Sequence, residues 1–294
     1  MTKPLFSGVC TALVTPFLNG TVNYPLLEKL LQRQLDSGIS AVVLCGTTGE
    51  ASTLSDEEKL TIIRKAKEFA GNSMLIIAGT GSNDTYHAST LSADAQEAGA
   101  DAVLVVTPYY NKANSDGLYT HFRTVATAVD IPVILYNVPT RTGVDLPVEV
   151  CRALSRIPNI AGIKEASQSI SKILRIIASC PEEFAVWSGN DDMTLPVTAL
   201  GGQGVISVAS NIAPKMMVAM TQACLSCRKG EALSLQKKML PLMEALFCDI
   251  SPMPVKECMR MLGFDCGGCR LPLTQISPEA SIKLCAALNL LSAI

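Results

Sequence analysis

Short runs of apolar residues alternate along most of the chain with longer stretches in which apolar positions recur at helical spacing. Apolar runs of about four to eight residues between turn residues are typical of strands that are buried on both faces. The predicted strands are Val9–Val14, Ala41–Leu44, Met74–Ala78, Ala102–Val106, Pro132–Tyr136, Ile160–Lys164, Phe184–Ser188 and Gly204–Val208.

Helical patterns fall between these strands, for example at Pro25–Asp36, Asp56–Ala70, Asp84–Ala98, Gly117–Val129 and Gln168–Ala178. Ser55 and Glu58 have the spacing of a capping box, and Asn83 or Asp84 can cap the third helix. Glycines end several helices, namely Gly38, Gly71 and Gly99. Eight strand–helix units with short loops predict an α/β fold, a parallel (β/α)8 TIM barrel ringed by helices. An open, doubly wound sheet is the alternative.

The last part of the chain has a different pattern, because no strand-like run follows Asn211. Helical patterns cover Lys215–Cys227, Glu231–Phe247, Val255–Leu262 and Ser277–Leu291. We therefore predict that residues 1–225 form the barrel and that residues 226–294 form a C-terminal helical region attached to it.

Composition and charge narrow the class of protein. The chain has 294 residues, of which 48% are hydrophobic, and 24 basic residues nearly balance 26 acidic ones. This balance gives no basic surface for nucleic acid. No apolar run approaches the roughly 18 residues of a membrane span, and the start lacks the apolar segment of a signal peptide. A soluble cytoplasmic protein is expected.

The eleven cysteines do not predict a disulfide framework, because their number is odd and the domain is large. Cys224 with Cys227 and Cys266 with Cys269 have C-x-x-C spacing. The separation of the two pairs is longer than that of a zinc ribbon, so reduced thiols are expected. The second pair could form a cross-link if oxidised.

Polar residues follow several predicted strands, at the end where barrel enzymes carry their active sites. These segments are Gly46–Glu50, Thr107–Asn111, Tyr136–Gly143, Lys164 and Ser188–Asp192. Hydroxyl groups, phenols, one guanidinium and one amine are thereby expected to meet at one rim of the barrel.

Lys164 stands at the end of a strand that is otherwise apolar. Burial disfavours the charged form of an amine, and an uncharged lysine can form a Schiff base with a keto acid. Alternation along the strand turns Glu165 to the opposite face, so that it need not neutralise the amine. Lys112 and Lys215 lie in polar loops and are weaker candidates. The alternative is that Lys164 extends its ammonium to solvent.

Two other side chains at this rim suit the same chemistry. Tyr136 can move protons and Arg141 can grip a carboxylate, although either can also serve in packing or lie in solvent. Backbone N–H groups of the Gly46–Gly49 loop can hold a second carboxylate, and an ordinary loop is the alternative. A metal-dependent aldolase would need several imidazole ligands, and only His87 and His121 exist. No metal is expected.

Six motifs together carry a resemblance to a known family. They are Gly46-Thr-Thr-Gly-Glu50, Pro108-Tyr-Tyr-Asn111, Tyr136-Asn-Val-Pro139, Arg141-Thr-Gly143, Ile163-Lys-Glu165 and Gly204-Val-Ile-Ser-Val208. From Gly8 to the C-terminal helices, the chain resembles the Schiff-base aldolases of the N-acetylneuraminate lyase superfamily. Within it the chain is most similar to the dihydrodipicolinate synthase family.

The resemblance implies a catalytic set. Lys164 would attack the keto carbon of pyruvate, so that the imine on this lysine takes the place of a cofactor. Tyr136 would transfer protons, linked through Thr47 to Tyr110, and in the family this last tyrosine reaches the site of a neighbouring subunit. A homodimer would be the smallest active unit, and a homotetramer made of two dimers is the common assembly.

The resemblance also implies how the substrates are held. Thr48 would bind the pyruvate carboxylate through its backbone N–H, and Arg141 would bind L-aspartate 4-semialdehyde at the mouth of the site. Gly189 and Ile206 would line the site with backbone carbonyl groups. The implied reaction condenses the two substrates to 4-hydroxy-tetrahydrodipicolinate, in diaminopimelate and lysine biosynthesis.

A regulatory cleft found in lysine-inhibited family members is altered in this chain. The corresponding residues are Ala51, Asp56, Lys59 and His87, with Asn83 and Tyr109 retained. A lysine in the cleft repels a cationic ligand, and the histidine replaces a carboxylate that would pair with the amine of that ligand. We expect lysine inhibition to be weak or absent.

Two other functions remain open from the sequence. One is a pyruvate-dependent lyase of a sialic acid or of a 2-keto-3-deoxy sugar acid, against which Thr48 and Arg141 argue. The other is a non-catalytic barrel that binds metabolites. Such a protein would have no need of the complete set of Lys164, Tyr136, Thr47 and Tyr110.

Overall fold

Eight parallel strands close into a barrel in the computed structural model, which describes residues 4–292. The strands of the chain are β1 (Gly8–Ala12), β2 (Phe17–Leu18), β3 (Thr21–Val22), β4 (Ala41–Leu44), β5 (Leu75–Gly79), β6 (Ala102–Val106), β7 (Val133–Asn137), β8 (Ile160–Glu165), β9 (Ala185–Ser188) and β10 (Gly204–Ser207). β2 and β3 form a separate antiparallel hairpin, while β10 pairs with β1 to close the barrel. The predicted barrel is confirmed, and the open doubly wound sheet is wrong.

Helices follow the barrel strands along the chain. They are α1 (Tyr24–Leu35), α2 (Asp56–Ala70), α3 (Thr85–Glu97), α4 (Ser115–Thr127), α5 (Pro139–Thr142), α6 (Val148–Leu154), α7 (Ile170–Ser179), α8 (Thr194–Ala199), α9 (Pro214–Leu225), α10 (Lys229–Ala245), α11 (Met253–Met261) and α12 (Pro278–Ser292). The Ser55–Glu58 capping box is present, and Asp84 rather than Asn83 caps α3. The short helices α5, α6 and α8 were not identified in the sequence, because fewer than about two turns show too little periodicity.

The barrel strands separate two apolar layers. Along β7, Ile134 and Tyr136 belong to a cluster inside the barrel, whereas Val133 and Leu135 pack in the larger cluster beneath the helices. This alternation follows from the two faces of a strand. Both faces are therefore buried, which explains why the strands read as nearly continuous apolar runs.

An aromatic pair fills one end of the barrel interior. Phe6, just before β1, stacks on Trp187 of β9 with ring centroids 4.6 Å apart. The indole N–H of Trp187 donates a hydrogen bond to the Phe6 carbonyl oxygen at 3.2 Å. Trp187 is fully buried by these contacts. Phe6 precedes β1, and Trp187 is in register with Gly204, the first residue of β10, so the pair lies near the starts of β1 and β10.

The C-terminal helices continue from the barrel. α10 packs on α9 and α12, and α11 packs on α12. The connection between α10 and α11, which includes Ile250 and Ser251, reaches the carboxyl-end rim of the barrel. Within residues 4–292, no helix combines the length and the apolar character needed to cross a membrane.

Candidate active site

Lys164 lies near the carboxyl end of β8, with 6% of its surface exposed. Its register partner in the adjacent strand is Tyr136 of β7, and the Lys164 Nζ lies 4.3 Å from the centroid of the Tyr136 ring. An aromatic face stabilises an ammonium group, and the phenol of the same ring can donate or accept a proton. The fold thus places an amine beside a proton carrier.

The side chain of Glu165 lies on the other face of β8, as alternation predicts. Its carboxylate accepts hydrogen bonds from Asn137 Nδ2 at 3.0 and 3.1 Å and from the Ser167 backbone N–H at 2.7 Å. Lys172 of α7 lies 3.9 Å from the same carboxylate. Burial raises the pKa of Glu165, although these partners favour its charged form. Glu165 therefore interacts with residues on the outer face of β8. The amine of Lys164 has no direct carboxylate partner on its own strand.

A cavity of about 730 Å³ opens at this rim. Among the predicted site residues that line it are Thr47, Thr48, Tyr136, Arg141, Lys164 and Gly189. Arg141 is exposed at the mouth, on the short helix α5. Ile206 is instead fully buried in the cluster inside the barrel, beside Cys10 of β1. The structure therefore brings most of the predicted residues to one cavity wall.

The Gly46–Glu50 loop turns tightly after β4. The Glu50 N–H donates a hydrogen bond to the Thr47 carbonyl oxygen at 3.1 Å, and the Thr15 hydroxyl donates one to the Gly49 carbonyl oxygen at 2.7 Å. These bonds fix the backbone on either side of Thr48. A fixed backbone can present N–H groups to a carboxylate without rearranging when the ligand binds.

Tyr110 stands apart from the other predicted catalytic residues. It is 89% exposed and does not line the cavity of Lys164. It lines a neighbouring cavity of about 910 Å³, which shares Thr47, Tyr136 and Arg141 with the first. In the single chain, the phenol of Tyr110 is open to solvent.

Asp191 is a site residue that the sequence did not single out. It is buried, it lines the cavity of Lys164, and its Oδ2 accepts hydrogen bonds from the N–H groups of Val208 and Ala209 at 3.1 and 2.9 Å. Its Oδ1 is buried without a hydrogen-bond partner among residues 4–292. Burial raises the pKa of Asp191, opposed by its hydrogen bonds and by the charge of Lys164. Its position in the polar Ser188–Asp192 segment was the only signal in the sequence.

Glu50, the last residue of its loop, was also not assigned a role from the sequence. Its Oε1 lies 2.6 Å from Lys256 Nζ of α11, and both side chains are almost completely buried. Its Oε2 accepts a hydrogen bond from the Arg270 backbone N–H at 2.9 Å. The Glu50 backbone is left-handed, with φ of 58°. The C-terminal region thus contacts the loop that contains Thr47 and Thr48.

The residues of the predicted regulatory cleft line the larger cavity, with one exception. Those that line it are Ala51, Asp56, Lys59, His87 and Tyr109, while Asn83 accepts a hydrogen bond from Asn111 through its carbonyl oxygen. Asp56 pairs with Lys59 at 3.0 Å and with His87 at 2.8 Å. Burial acts to raise the pKa of Asp56, but these two partners outweigh it and lower the pKa below its usual value.

The two C-x-x-C pairs have different surroundings. Cys266 is buried and Cys269 is partly buried, and burial raises the pKa of each thiol to about 11. Both are therefore protonated at neutral pH, whereas disulfide exchange and metal binding use the thiolate. Cys224 is buried in α9, and Cys227 is exposed just beyond it. Within the described part of the chain, no three histidine, cysteine, aspartate or glutamate side chains are grouped so that they could hold a metal ion.

Comparison with known proteins gives a consistent result across nearly the whole chain. The sequence profile of the dihydrodipicolinate synthetase family matches residues 5–291. The 4-hydroxy-tetrahydrodipicolinate synthase of Acetivibrio thermocellus is 47% identical over 279 residues, which is 95% of each chain.

Solved structures agree with the sequence relatives. A dihydrodipicolinate synthase from Acinetobacter baumannii, solved in complex with pyruvate, superposes with a TM-score of 0.96 at 41% identity and covers 98% of this chain and 100% of its own. The enzyme of Cyanidioschyzon merolae, solved with lysine bound, has a TM-score of 0.96 at 38% identity and covers 99% and 100%. The resemblance found in the sequence motifs is confirmed.

Proposed function

This chain belongs to the dihydrodipicolinate synthetase family, and we propose that it condenses pyruvate with L-aspartate 4-semialdehyde to give 4-hydroxy-tetrahydrodipicolinate, in lysine and diaminopimelate biosynthesis. The observation that carries this proposal is the buried amine of Lys164, 4.3 Å from the ring of Tyr136, in a cavity that also contains the Thr47–Thr48 loop. The names and the pyruvate complex of its relatives support the choice of substrates.

The first half of the reaction forms an imine. The Lys164 amine adds to the keto carbon of pyruvate, and the resulting carbinolamine loses water to leave a protonated imine. Tyr136 donates the proton with which the hydroxyl departs as water, and the resulting phenolate takes up another proton in the next step. Removal of a proton from the methyl group of the pyruvate unit then gives an enamine, in which the former methyl carbon is nucleophilic.

The second half joins the two substrates. The enamine carbon attacks the aldehyde carbon of the semialdehyde, and the new alkoxide takes up a proton. The amino group of the second substrate then attacks the imine carbon, closes the ring and displaces the Lys164 amine. Lysine is regenerated in each cycle, so this chemistry uses the covalent pyruvate imine and no separate cofactor.

Four residues are assigned to holding the substrates. The Thr48 backbone N–H binds the pyruvate carboxylate, and Arg141 at the cavity mouth binds the carboxylate of the semialdehyde by two parallel hydrogen bonds. Gly189 and Ile206 contribute backbone carbonyl groups. Gly189 is supported by its place on the cavity wall, and Ile206 by its place in β10 beside that wall.

We propose a homodimer as the active unit and a tetramer made of two such dimers as the assembly. The exposed phenol of Tyr110 supports this, because it is a proton carrier for which the single chain provides no enclosed site. In the dimer, Tyr110 would complete the relay through Thr47 to Tyr136 in the partner's site. A cytoplasmic location fits the use of pyruvate, a product of central metabolism.

The decisive experiment traps the imine. The protein is incubated with pyruvate, reduced with borohydride, digested and analysed by mass spectrometry. We expect a pyruvate-derived adduct on the peptide that contains Lys164, and no adduct in Lys164→Ala. Lys215→Ala is the matched control, because Lys215 is exposed and its loss should leave the adduct intact. Absence of an adduct in the natural protein would contradict the Schiff-base mechanism.

Turnover then distinguishes the reaction class. With pyruvate present, we expect rapid consumption of L-aspartate 4-semialdehyde and none of N-acetylmannosamine. Arg141→Ala should impair use of the semialdehyde more than imine formation, since Arg141 lies at the mouth and Lys164 below it. Rapid turnover of the sugar would instead support a sialic acid lyase.

A further inference from the structure

The loop that carries Thr47 and Thr48 ends at Glu50, whose side chain contacts the C-terminal region. Glu50 has a left-handed backbone, which is costly for a residue with a Cβ and is free of cost for glycine. A glutamate at such a position indicates that its carboxylate has a use that outweighs the strain. That carboxylate is almost completely buried, and its partners all come from the C-terminal region.

Lys256 is the principal partner. Its ammonium lies 2.6 Å from Glu50 Oε1, donates a hydrogen bond to the Gly268 carbonyl oxygen at 3.1 Å, and lies 4.2 Å from the centre of the Phe17 ring. Both members of the pair are thus desolvated and held by further contacts. A buried ion pair with this geometry fixes its two ends strongly, because separating them would leave a charge unpaired in the interior.

Arg270 holds the segment that follows the loop. Its guanidinium donates two hydrogen bonds to the Glu58 carboxylate, at 2.7 and 2.5 Å, and one to the Thr53 carbonyl oxygen at 2.8 Å. Its backbone N–H binds Glu50 itself at 2.9 Å. Arg270 therefore spans the segment from Glu50 to the first turn of α2.

These contacts lead directly to the pyruvate end of the cavity. The Glu50 N–H binds the Thr47 carbonyl oxygen, and Thr48 lies between Thr47 and Glu50 in the chain. A shift of the Glu50 side chain would therefore move the backbone N–H of Thr48. Arg141 lies on α5, after β7, and is outside this set of contacts.

We propose that Lys256 and Arg270, from the C-terminal region, are positioning residues for the pyruvate carboxylate, acting through Glu50 on the Thr47–Thr48 backbone. This inference rests on the proposed function and adds to it a role for the region beyond the barrel. It predicts a selective effect on pyruvate. A purely stabilising role would affect the two substrates equally, through the fraction of folded protein.

The experiment uses the full-length chain and four variants: Glu50→Gln, Lys256→Met, the double variant of both, and Arg228→Ala as the control. Arg228 forms an exposed ion pair with Glu231 at the start of α10, in the same C-terminal region. Three quantities are measured in each: the pyruvate concentration that gives half of the borohydride-trapped adduct, and the KM of each of the two substrates with the other saturating. Circular dichroism and thermal unfolding report the folded fraction.

We expect half-saturation by pyruvate to rise about 10- to 100-fold in the single variants, the range that a small misplacement of a binding group produces. The KM of the semialdehyde should stay within about twofold, and Arg228→Ala should match the natural protein. The double variant removes both charges of the pair and so leaves no buried charge unpaired. If a single variant does not fold, the double variant tests whether the ion pair positions the loop. It too should bind pyruvate weakly, because the loop has lost its anchor.

Unchanged pyruvate half-saturation in folded variants would overturn the proposal, as would equal changes for both substrates. A failure of the proposed function looks different, because the natural protein itself would then form no adduct. Failure of the proposed function is thus seen in the natural protein, whereas failure of this inference is seen only in the variants.

Discussion

Adjacent residues at the end of β8 have opposite surroundings, and this contrast defines the site. Lys164 faces the Tyr136 ring inside the barrel, while Glu165 binds Asn137 and Ser167 on the other side. Strand alternation was enough to predict this from the sequence, because it depends only on neighbouring positions. The carboxyl-end rule for barrels likewise predicted Thr47, Tyr136 and Arg141 on the same wall.

Other residues could not be found in this way. Asp191 is one polar residue among several in its segment, and only the folded chain shows that its Oδ1 is buried without a partner in the described residues. Glu50 and Lys256 are far apart in sequence, so no local pattern connects them. Contacts of this kind depend on how whole elements pack, which residue patterns do not specify.

Asp191→Asn tests the cost of that buried carboxyl. Burial raises the pKa of Asp191, so the folded state holds a proton on this carboxyl more tightly than the unfolded state does. The natural protein therefore loses stability as the pH rises from the ordinary aspartate range towards the raised pKa. The amide does not titrate. We expect the variant to gain thermal stability relative to the natural protein at pH 7, and this gain to shrink near about pH 4.

The same variant should lose activity. Loss of a polar group that is fixed beside a reacting centre commonly lowers kcat by about tenfold or more. Unfolding temperatures at the two pH values and steady-state rates check both expectations. A loss of stability of equal size at both pH values would show that Asp191 serves only as a hydrogen-bond acceptor for the turn at Val208 and Ala209.

At the scale of elements, the close approach of β8 to β9 depends on Gly162. A Cβ at this position would lie 2.1 Å from the Ala185 carbonyl oxygen and 2.8 Å from the Trp187 ring. The carbonyl belongs to the sheet and cannot move without separating the two strands. Since Lys164 follows two residues later on β8, the packing of these two strands also sets the position of the proposed nucleophile.

Gly162→Ala should therefore be severely destabilising. We expect a loss of about 3 kcal/mol or more in the free energy of unfolding, measured with urea, at the upper end of the range for overpacked cores. Gly230→Ala in α10 is the matched control, because its Cβ would meet nothing within 4 Å. There alanine should stabilise the helix by up to about 1 kcal/mol. Equal effects of the two substitutions would contradict the packing argument.

The elements themselves were largely predictable. The predicted and observed bounds of Ala41–Leu44, Asp56–Ala70 and Ala102–Val106 agree at both ends. These segments have strong apolar periodicity or a capping box, which act locally. The β2–β3 hairpin and the helix α5 are too short for such signals, and they form because tertiary contacts hold them.

At the scale of the whole molecule, the number of strand–helix units was sufficient to predict closure of the barrel. The contacts of the C-terminal region with the Gly46–Glu50 loop were not predictable from the sequence. They join α11 and the segment after it to a loop near the beginning of the chain, far away in sequence. The exposed phenol of Tyr110 bears on the proposed dimer, in which it would reach the site of the partner subunit.

A mixing experiment tests whether Tyr110 acts in the partner's site. Tyr110→Phe removes only a phenol hydroxyl that is solvent-exposed in the single chain, so we expect a lower kcat with an unchanged unfolding temperature. Mixed dimers of this variant with Lys164→Ala contain one site with an intact Lys164 and an intact Tyr110 from the other chain. Such mixtures should exceed the summed activity of the two variants. No gain on mixing, in dimers shown to have exchanged, would place the action of Tyr110 within its own chain.

Lysine should inhibit this protein weakly. Lys59 adds a positive charge to the larger cavity, and the Asp56 carboxylate is already paired with Lys59 and His87. A cationic amino acid would meet repulsion and would have to displace an existing partner. We expect no strong inhibition at sub-millimolar lysine in a steady-state titration, and half-inhibition below about 1 mM would contradict this expectation.

The stacked pair of Phe6 and Trp187 gives the molecule an internal optical reporter. Trp187 is the chain's one tryptophan, it is fully buried, and its register partner in β8 is Lys164. Its fluorescence therefore arises from the barrel interior alone, whereas the far-ultraviolet dichroism is dominated by helices throughout the chain. If the C-terminal helices melt before the barrel, the dichroism will change while the tryptophan emission stays at the short wavelengths of an apolar environment, and a shift to longer wavelengths will mark the opening of the barrel itself.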